Sequence, residues 1–167
     1  NYTKSEIFDS YSLATVSGIE GSVGGFLGFS GDSNQSSVIR CYSAGQVTQK
    51  GFIGQIQNST VSASFWDVNT SGVTTSAGTG VVGKTTAEMM DPSTFLDAGW
   101  DFNQTGGTWK MIAGQTYPRL AWETLPNTPP SDLNVTAPLQ VLENQPSDTL
   151  VGQFTAHDPD LPSTLSY

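Results

Sequence analysis

Positive charge is what this sequence has least of: six Lys and Arg stand against 15 Asp and Glu in 167 residues, a net charge of −9. A chain so acidic is repelled by phosphate backbones and by anionic lipid, which argues against nucleic acid and the membrane surface as partners. Cysteine occurs once, as Cys41, so no disulfide can close within the chain, and the thiol reads as a small buried hydrophobe rather than a reactive group. Histidine also occurs once, as His157, which leaves no H-E-x-x-H zinc site. No apolar run approaches the roughly 20 residues needed to span a bilayer, so no membrane insertion is expected of this segment. No secretory leader opens the sequence, and its abrupt start at Asn1-Tyr2-Thr3 and strand-like end read as a piece of a longer protein.

Good helix-forming stretches are few as well. In their place stand 18 Gly, 9 Pro and abundant Ser and Thr, residues that supply positive φ or bond their own backbone in turns. Seventeen aromatic residues (8 Phe, 5 Tyr, 4 Trp) need a dry interior, which excludes disorder. The composition predicts an all-β chain of many short strands.

An internal repeat organises the first half. Ser10-Tyr11-Ser12-Leu13-Ala14-Thr15-Val16 lines up with Cys41-Tyr42-Ser43-Ala44-Gly45-Gln46-Val47. Gly25-Phe26-Leu27-Gly28 lines up with Gly51-Phe52-Ile53-Gly54, and Ser64-Phe65-Trp66 is a third, partial copy. The aromatic steps vary: 31 residues from Tyr11 to Tyr42, 23 from Tyr42 to Phe65 and 26 from Phe26 to Phe52. Constant apolar anchors with variable spacing suggest coils of conserved strands and changeable turns, a β-solenoid whose rungs bury together what none can bury alone. The competing reading is a β-sandwich with two chance glycine-bracketed clusters.

These glycine-bracketed pairs, each a short way after a Tyr-Ser pair, resemble the GLUG repeat of large bacterial surface proteins. Ser64-Phe65-Trp66-Asp67, Thr70-Ser71-Gly72, Gly78-Thr79-Gly80, Thr85-Thr86-Ala87-Glu88-Met89, Gly99-Trp100-Asp101-Phe102, Trp109, Tyr117-Pro118-Arg119-Leu120 and Trp122 are similar to the sequence that closes such arrays. The resemblance implies a right-handed parallel β-helix in residues 1–66, as in secreted adhesins and the non-catalytic parts of certain surface proteases. It implies a cap over the open solenoid end in residues 67–122, containing one short helix that starts at a Thr85/Glu88 capping box and a second turn over 92–98.

Three sharper chemistries compete with this. Four tryptophans (Trp66, Trp100, Trp109, Trp122) and Tyr117 crowd into 57 residues, which would suit a sugar-stacking platform in a carbohydrate-binding or polysaccharide-processing β-helix. Gly78 to Thr85 satisfies the G-x-x-x-x-G-K-[ST] phosphate-loop pattern, although the polar residues 69–77 are a poor substitute for the buried strand such a loop follows. For catalysis, the only carboxylates in residues 1–66 are Glu6, Asp9, Glu20 and Asp32, none at matching repeat positions, and no G-x-S-x-G elbow occurs. No enzyme is expected.

After Trp122 the composition shifts. Residues 123–131 form a Pro-rich linker, and from Leu120 onward there is no cation but six acids. Leu139–Leu142 and Thr149–Ala156 read as strands around a turn at Glu143-Asn144-Gln145-Pro146. Asn127 and Pro130, then Val141, Glu143, Asn144 and Pro146, Thr149, Val151 and Gly152, and Ala156, Asp158 and Asp160 resemble the opening of a cadherin-like repeat. Residues 132–167 would thus be a truncated cadherin-like β-sandwich. The resemblance implies calcium as cofactor, with Asn127, Glu143, Asp158 and Asp160 as ligands. Together these readings predict an extracellular or cell-surface adhesive segment whose partners are a surface protein or glycan receptor and its own neighbouring domains.

Overall fold

A computed structural model of the chain describes residues 5–19, 21–31, 36–103, 105–126, 131–135, 143–149, 154–157 and 165–166. It is all-β in class, with strands throughout and only short helices among the described residues. Two compact units divide it, Asn1–Glu123 and Thr124–Tyr167.

The first unit is built on parallel pairing. Strand β1 (Glu6–Ser12) leads to β2 (Leu27–Gly31), β3 (Ser37–Ser43), β4 (Ile53–Gln57), β5 (Thr60–Ser62), β6 (Ser64–Asp67) and β7 (Val81–Lys84). One sheet runs β1-β3-β6-β7, with β5 beside the first half of β3, and a second pairs β2 with β4; all these pairs are parallel. The register follows the repeat residue for residue. Ser10 lies beside Cys41, Tyr11 beside Tyr42, Ser12 beside Ser43, and Val16 bridges to Val47. Leu27 lies beside Ile53, and Phe65 takes its place beside Tyr42. The sheets are small, of five, three, two and two strands.

Each long rung bends at one residue. Asp9, Arg40 and Ala63 have φ of 48°, 51° and 48°, in the left-handed region that costs a non-glycine residue about 1–2 kcal/mol. The register puts Asp9 opposite Arg40, and Ala63 separates β5 from β6 at the same level. The bend breaks strict alternation, so Val38 and Cys41, three residues apart, enter the same core. Val38, Cys41, Phe52, Ile53, Val61, Trp66 and Val81 make up this first core, between the two sheets. Gly51 is required there: a Cβ would stand 2.0 Å from Trp66 Cδ1. Gly45 is required at the next turn, where a Cβ would lie 1.9 Å from the Ala14 carbonyl oxygen.

Helix α1 (Val68–Ser71) follows β6 and packs Val68 against the first core. Tyr42 and Phe65 face the other way. They meet Met89, Phe95, Trp100 and Trp109 in a second core, contributed by α2 (Thr86–Met89), α3 (Pro92–Leu96) and the antiparallel pair β8 (Trp109–Lys110) and β9 (Arg119–Leu120) with their connections. The Thr85/Glu88 capping box forms, with both reciprocal bonds, and α3 occupies the second helical segment with Pro92 in its first turn. Helix α1 was not anticipated, although Asp67 as N-cap and Gly72 as left-handed C-cap (φ 73°) are ordinary helix punctuation.

The second unit holds an antiparallel sheet of β10 (Ser131–Val135), β11 (Phe154–His157) and β12 (Leu165–Ser166). β11 is the end of the strand read over Thr149–Ala156. β10 falls where a linker was expected to end, while Leu139–Leu142 lies outside the described residues.

Candidate functional site

Residues 85–123 do not sit on the end of the strand stack; they lie across its side. Trp109 Nε1 donates to Asp9 Oδ1 on β1 (3.1 Å), the Tyr42 hydroxyl on β3 donates to the Pro118 carbonyl (2.7 Å), and Trp100 Nε1 donates to the Ala63 carbonyl beside β6 (2.8 Å). A cover over an open end would touch only the last strand. This one spans three, because the aromatic column Tyr11, Tyr42, Phe65 is what needs burying.

Three polar networks pin it down. Asp9 accepts two bonds from Arg40, Nε and Nη2 each at 2.7 Å, besides the one from Trp109. Burial works against that carboxylate, but the Arg40 and Trp109 bonds prevail and hold its pKa below the ordinary value. At the next level Arg119 donates to the Tyr11 hydroxyl (2.6 Å) and stacks over its ring at 5.3 Å, while Tyr11 donates to Glu123 Oε1 (2.5 Å). Burial and the Glu123 carboxylate raise the Tyr11 pKa. The third network centres on Asp67, which is wholly buried. Its Oδ1 accepts from Asn69 N and Thr70 N, capping α1, and its Oδ2 accepts from Thr86 Oγ1 (2.8 Å) and the Tyr117 hydroxyl (2.7 Å). Burial, then the bond to Asp67, pushes Tyr117 up to about 12. Each of these carboxylates joins one stretch of chain to another.

The residues singled out for chemistry fall as follows. Trp100 and Trp109 are 3% and 1% exposed, so neither can present a ring face to a sugar. Trp66 is buried in the other core, its Nε1 donating to the Val73 carbonyl. Trp122, expected among them, is 81% exposed: the Glu123 N–H bonds back to the Leu120 carbonyl in a tight turn that swings Trp122 outward. In the phosphate-loop pattern, Gly83 and Lys84 lie in β7, paired with β6. Lys84 Nζ meets Glu88 Oε1 at 3.2 Å, and the Thr85 and Thr86 N–H groups are taken by Glu88 and Asn69 side chains, so no cradle of free donors forms. Cys41 is fully buried and its pKa is raised by burial to about 11, which keeps the thiol protonated and inert. Asn127, Asp158 and Asp160 lie outside the described residues, and Glu143 is exposed at a turn followed by Asn144 at φ 65°. Among the described residues no three His, Cys, Asp or Glu side chains gather as a metal site.

Sequence reasoning missed the Asp9–Arg40 pair, although the two stand at the same repeat position 31 residues apart. It missed Asp67 as well, because burial of a lone Asp leaves no local pattern. It also missed a cleft of about 570 Å³ lined by Pro92, Phe102, Asn103, Trp109, Lys110 and Met111.

No family model matches the chain, and no solved structure matches it. The chain is 35% identical over 131 residues to a protein of Evansella cellulosilytica provisionally named a Gly-rich membrane protein. That match takes in 70% of this chain and 14% of the relative, so the chain spans a small part of the relative's length.

Proposed function

We propose that this chain is a structural, adhesive segment of a large cell-surface protein: right-handed β-helix coils in residues 1–66, a lateral brace in 67–122, a linker in 123–131 and the start of a cadherin-like domain in 132–167. The observation that carries this reading is the coincidence of repeat and register. Tyr11 stacks on Tyr42 within one parallel strand pair, and Phe26 stacks on Phe52 just before another, as coils of one helix would. Its carboxylates serve as internal clasps, which suits a spacer better than a catalyst. The relative's far greater length and its membrane-protein name support a place at a cell surface. Asn127, Glu143, Asp158 and Asp160 would bind calcium and stiffen the downstream junction. The test is retention under flow of cells displaying the full-length protein with or without residues 5–123, on surfaces coated with host protein or glycan. Loss of retention without residues 5–123 supports the adhesive reading, and equal retention rejects it.

A second reading, carbohydrate binding, is favoured by the cleft beside Phe102 and Trp109. Lys110 lines it and has no carboxylate within ion-pair distance among the described residues, so an acidic glycan would be matched in charge. A glycan array probed with wild type and Phe102→Ala decides this: binding that the substitution abolishes establishes it, and an empty array disposes of it.

A further inference from the structure

The chain leaves its first unit beside a strand formed near its beginning. Glu123 is the last residue of that unit, and its side chain is 19% exposed. Its Oε1 accepts from the Tyr11 hydroxyl at 2.5 Å and its Oε2 from the Leu120 N–H at 2.7 Å. Arg119 lies 3.9 Å from the same Oε1, donates to the Tyr11 hydroxyl at 2.6 Å and covers its ring at 5.3 Å. Tyr11 is the penultimate residue of β1. Two residues 112 positions apart are thus neighbours, and one cluster of three side chains closes the loop between them.

The rest of β1 is a firm anchor for that cluster. Six register pairs ladder it to β3, from Glu6–Ser37 to Ser12–Ser43. Asp9, two residues before Tyr11, takes two bonds from Arg40 on β3 and one from Trp109 on β8. Tension applied to the chain ahead of Glu6 and behind Glu123 therefore meets a short path. It runs along β1 from Glu6 to Tyr11, across the Tyr11 and Glu123 side chains, and out at Thr124. Residues 12–122, which hold both cores of the unit, lie off that path.

From this geometry we infer that Tyr11, Arg119 and Glu123 form a mechanical latch, which while closed shunts tension past the coils and the brace. Its use rests on the reading of the chain as a spacer in a surface protein, where tension is the ordinary load. The latch consists of a few side-chain bonds with charged partners, stronger one by one than neutral bonds but far fewer than the strand ladder supplies. It is therefore the first element on the path to give. Once it opens, brace and coils carry the load in series, and their unfolding releases the 112 steps from Tyr11 to Glu123, about 380 Å of chain at roughly 3.4 Å each.

Optical-trap pulling of the full chain in two directions tests this. Tags at the two termini load the latch. Handles on Gln57→Cys and Leu96→Cys, both at exposed positions, load the coils and the brace and leave the latch off the path. Cys41 is fully buried and does not compete for a handle. Tyr11→Phe keeps the ring and removes the hydroxyl, and Glu123→Gln removes the charge; each is compared with its parent in the same direction. Either substitution should raise the unfolding rate at fixed force about tenfold or more between the termini, and leave it within about threefold between positions 57 and 96. The same acceleration in both directions would make the cluster an ordinary stabilising contact and overturn the inference, and so would no acceleration in either. Adhesion does not enter the measurement. A protein that holds under flow but shows no directional difference sinks the latch alone, and a directional difference without retention upholds the latch and sinks only the adhesive reading.

Discussion

The ring of Tyr11 lies on that of Tyr42 with centroids 5.1 Å apart and planes 6° from parallel, yet their hydroxyls go to different partners. Tyr42 donates to the Pro118 carbonyl in a fully buried position, and Tyr11 donates to Glu123 at the half-buried end of the same column. Depth therefore separates two residues that the repeat makes equivalent. Tyr42→Ala should cost about 3–5 kcal/mol and Tyr42→Phe about 1–3, the latter from an orphaned carbonyl. Tyr11→Phe should cost less than Tyr42→Phe. Urea unfolding monitored by Trp fluorescence measures all three, and equal costs for the two Phe substitutions would contradict the depth argument.

Ala63 holds φ 48° without being glycine. Ala63→Gly should stabilise the chain by up to about 1 kcal/mol, because glycine adopts this region without the Cβ clash. The reverse experiment is Gly45→Ala, which should destabilise by more than that, since its Cβ would meet the Ala14 carbonyl at 1.9 Å. A shared sign for the two substitutions in thermal melts would exclude the assigned backbone geometry.

Tyr11, Tyr42 and Tyr117 all have raised pKa values, burial being the first cause in each, and Tyr117 reaches about 12. A group whose folded pKa is raised contributes stability below its unfolded value, near 10, and loses it as pH climbs through the folded one. Stability should therefore fall between about pH 10 and 12. Absorbance at the phenolate band should show these three ionising together with unfolding, and Tyr117→Phe should flatten the alkaline limb. Smooth titration ahead of unfolding would refute it.

Glu88 behaves with the opposite sign. The Thr85 backbone N–H, its hydroxyl and Lys84 bring its pKa from 4.5 to about 2. The stability it adds is present above about pH 4.5 and is lost as pH falls towards 2. The carboxylate is exposed, so solvent keeps the effect small. Glu88→Gln should shallow the acid limb of a pH-stability profile without shifting the alkaline one.

Calcium should raise the melting temperature of the full-length protein, and Glu143→Gln combined with Asp158→Asn should abolish the shift. An unchanged melt on adding calcium to the wild type would reject these residues as ligands.

Much of the first unit was legible from particular residues. The pairing of Ser10–Val16 with Cys41–Val47, the Phe26/Phe52 stack, the Thr85/Glu88 capping box and the inert Cys41 all follow from local pattern, because a repeat states its own register and a capping box closes within four residues. The brace was not legible in the same way. As the closing residues of an array they imply a cover over an end, whereas Trp109, Pro118 and Trp100 reach back about 100, 76 and 37 positions to Asp9, Tyr42 and Ala63.

By itself the sequence determined the strand class, the rung-on-rung register and the acidic character, since each depends on residues close together or on a period. Tertiary structure alone decided which Trp is buried and which is exposed, that Asp67 becomes an internal clasp, and that residues 85–123 lie across the strands. Burial is a property of what arrives from elsewhere in the chain, and no spacing within a segment encodes that arrival.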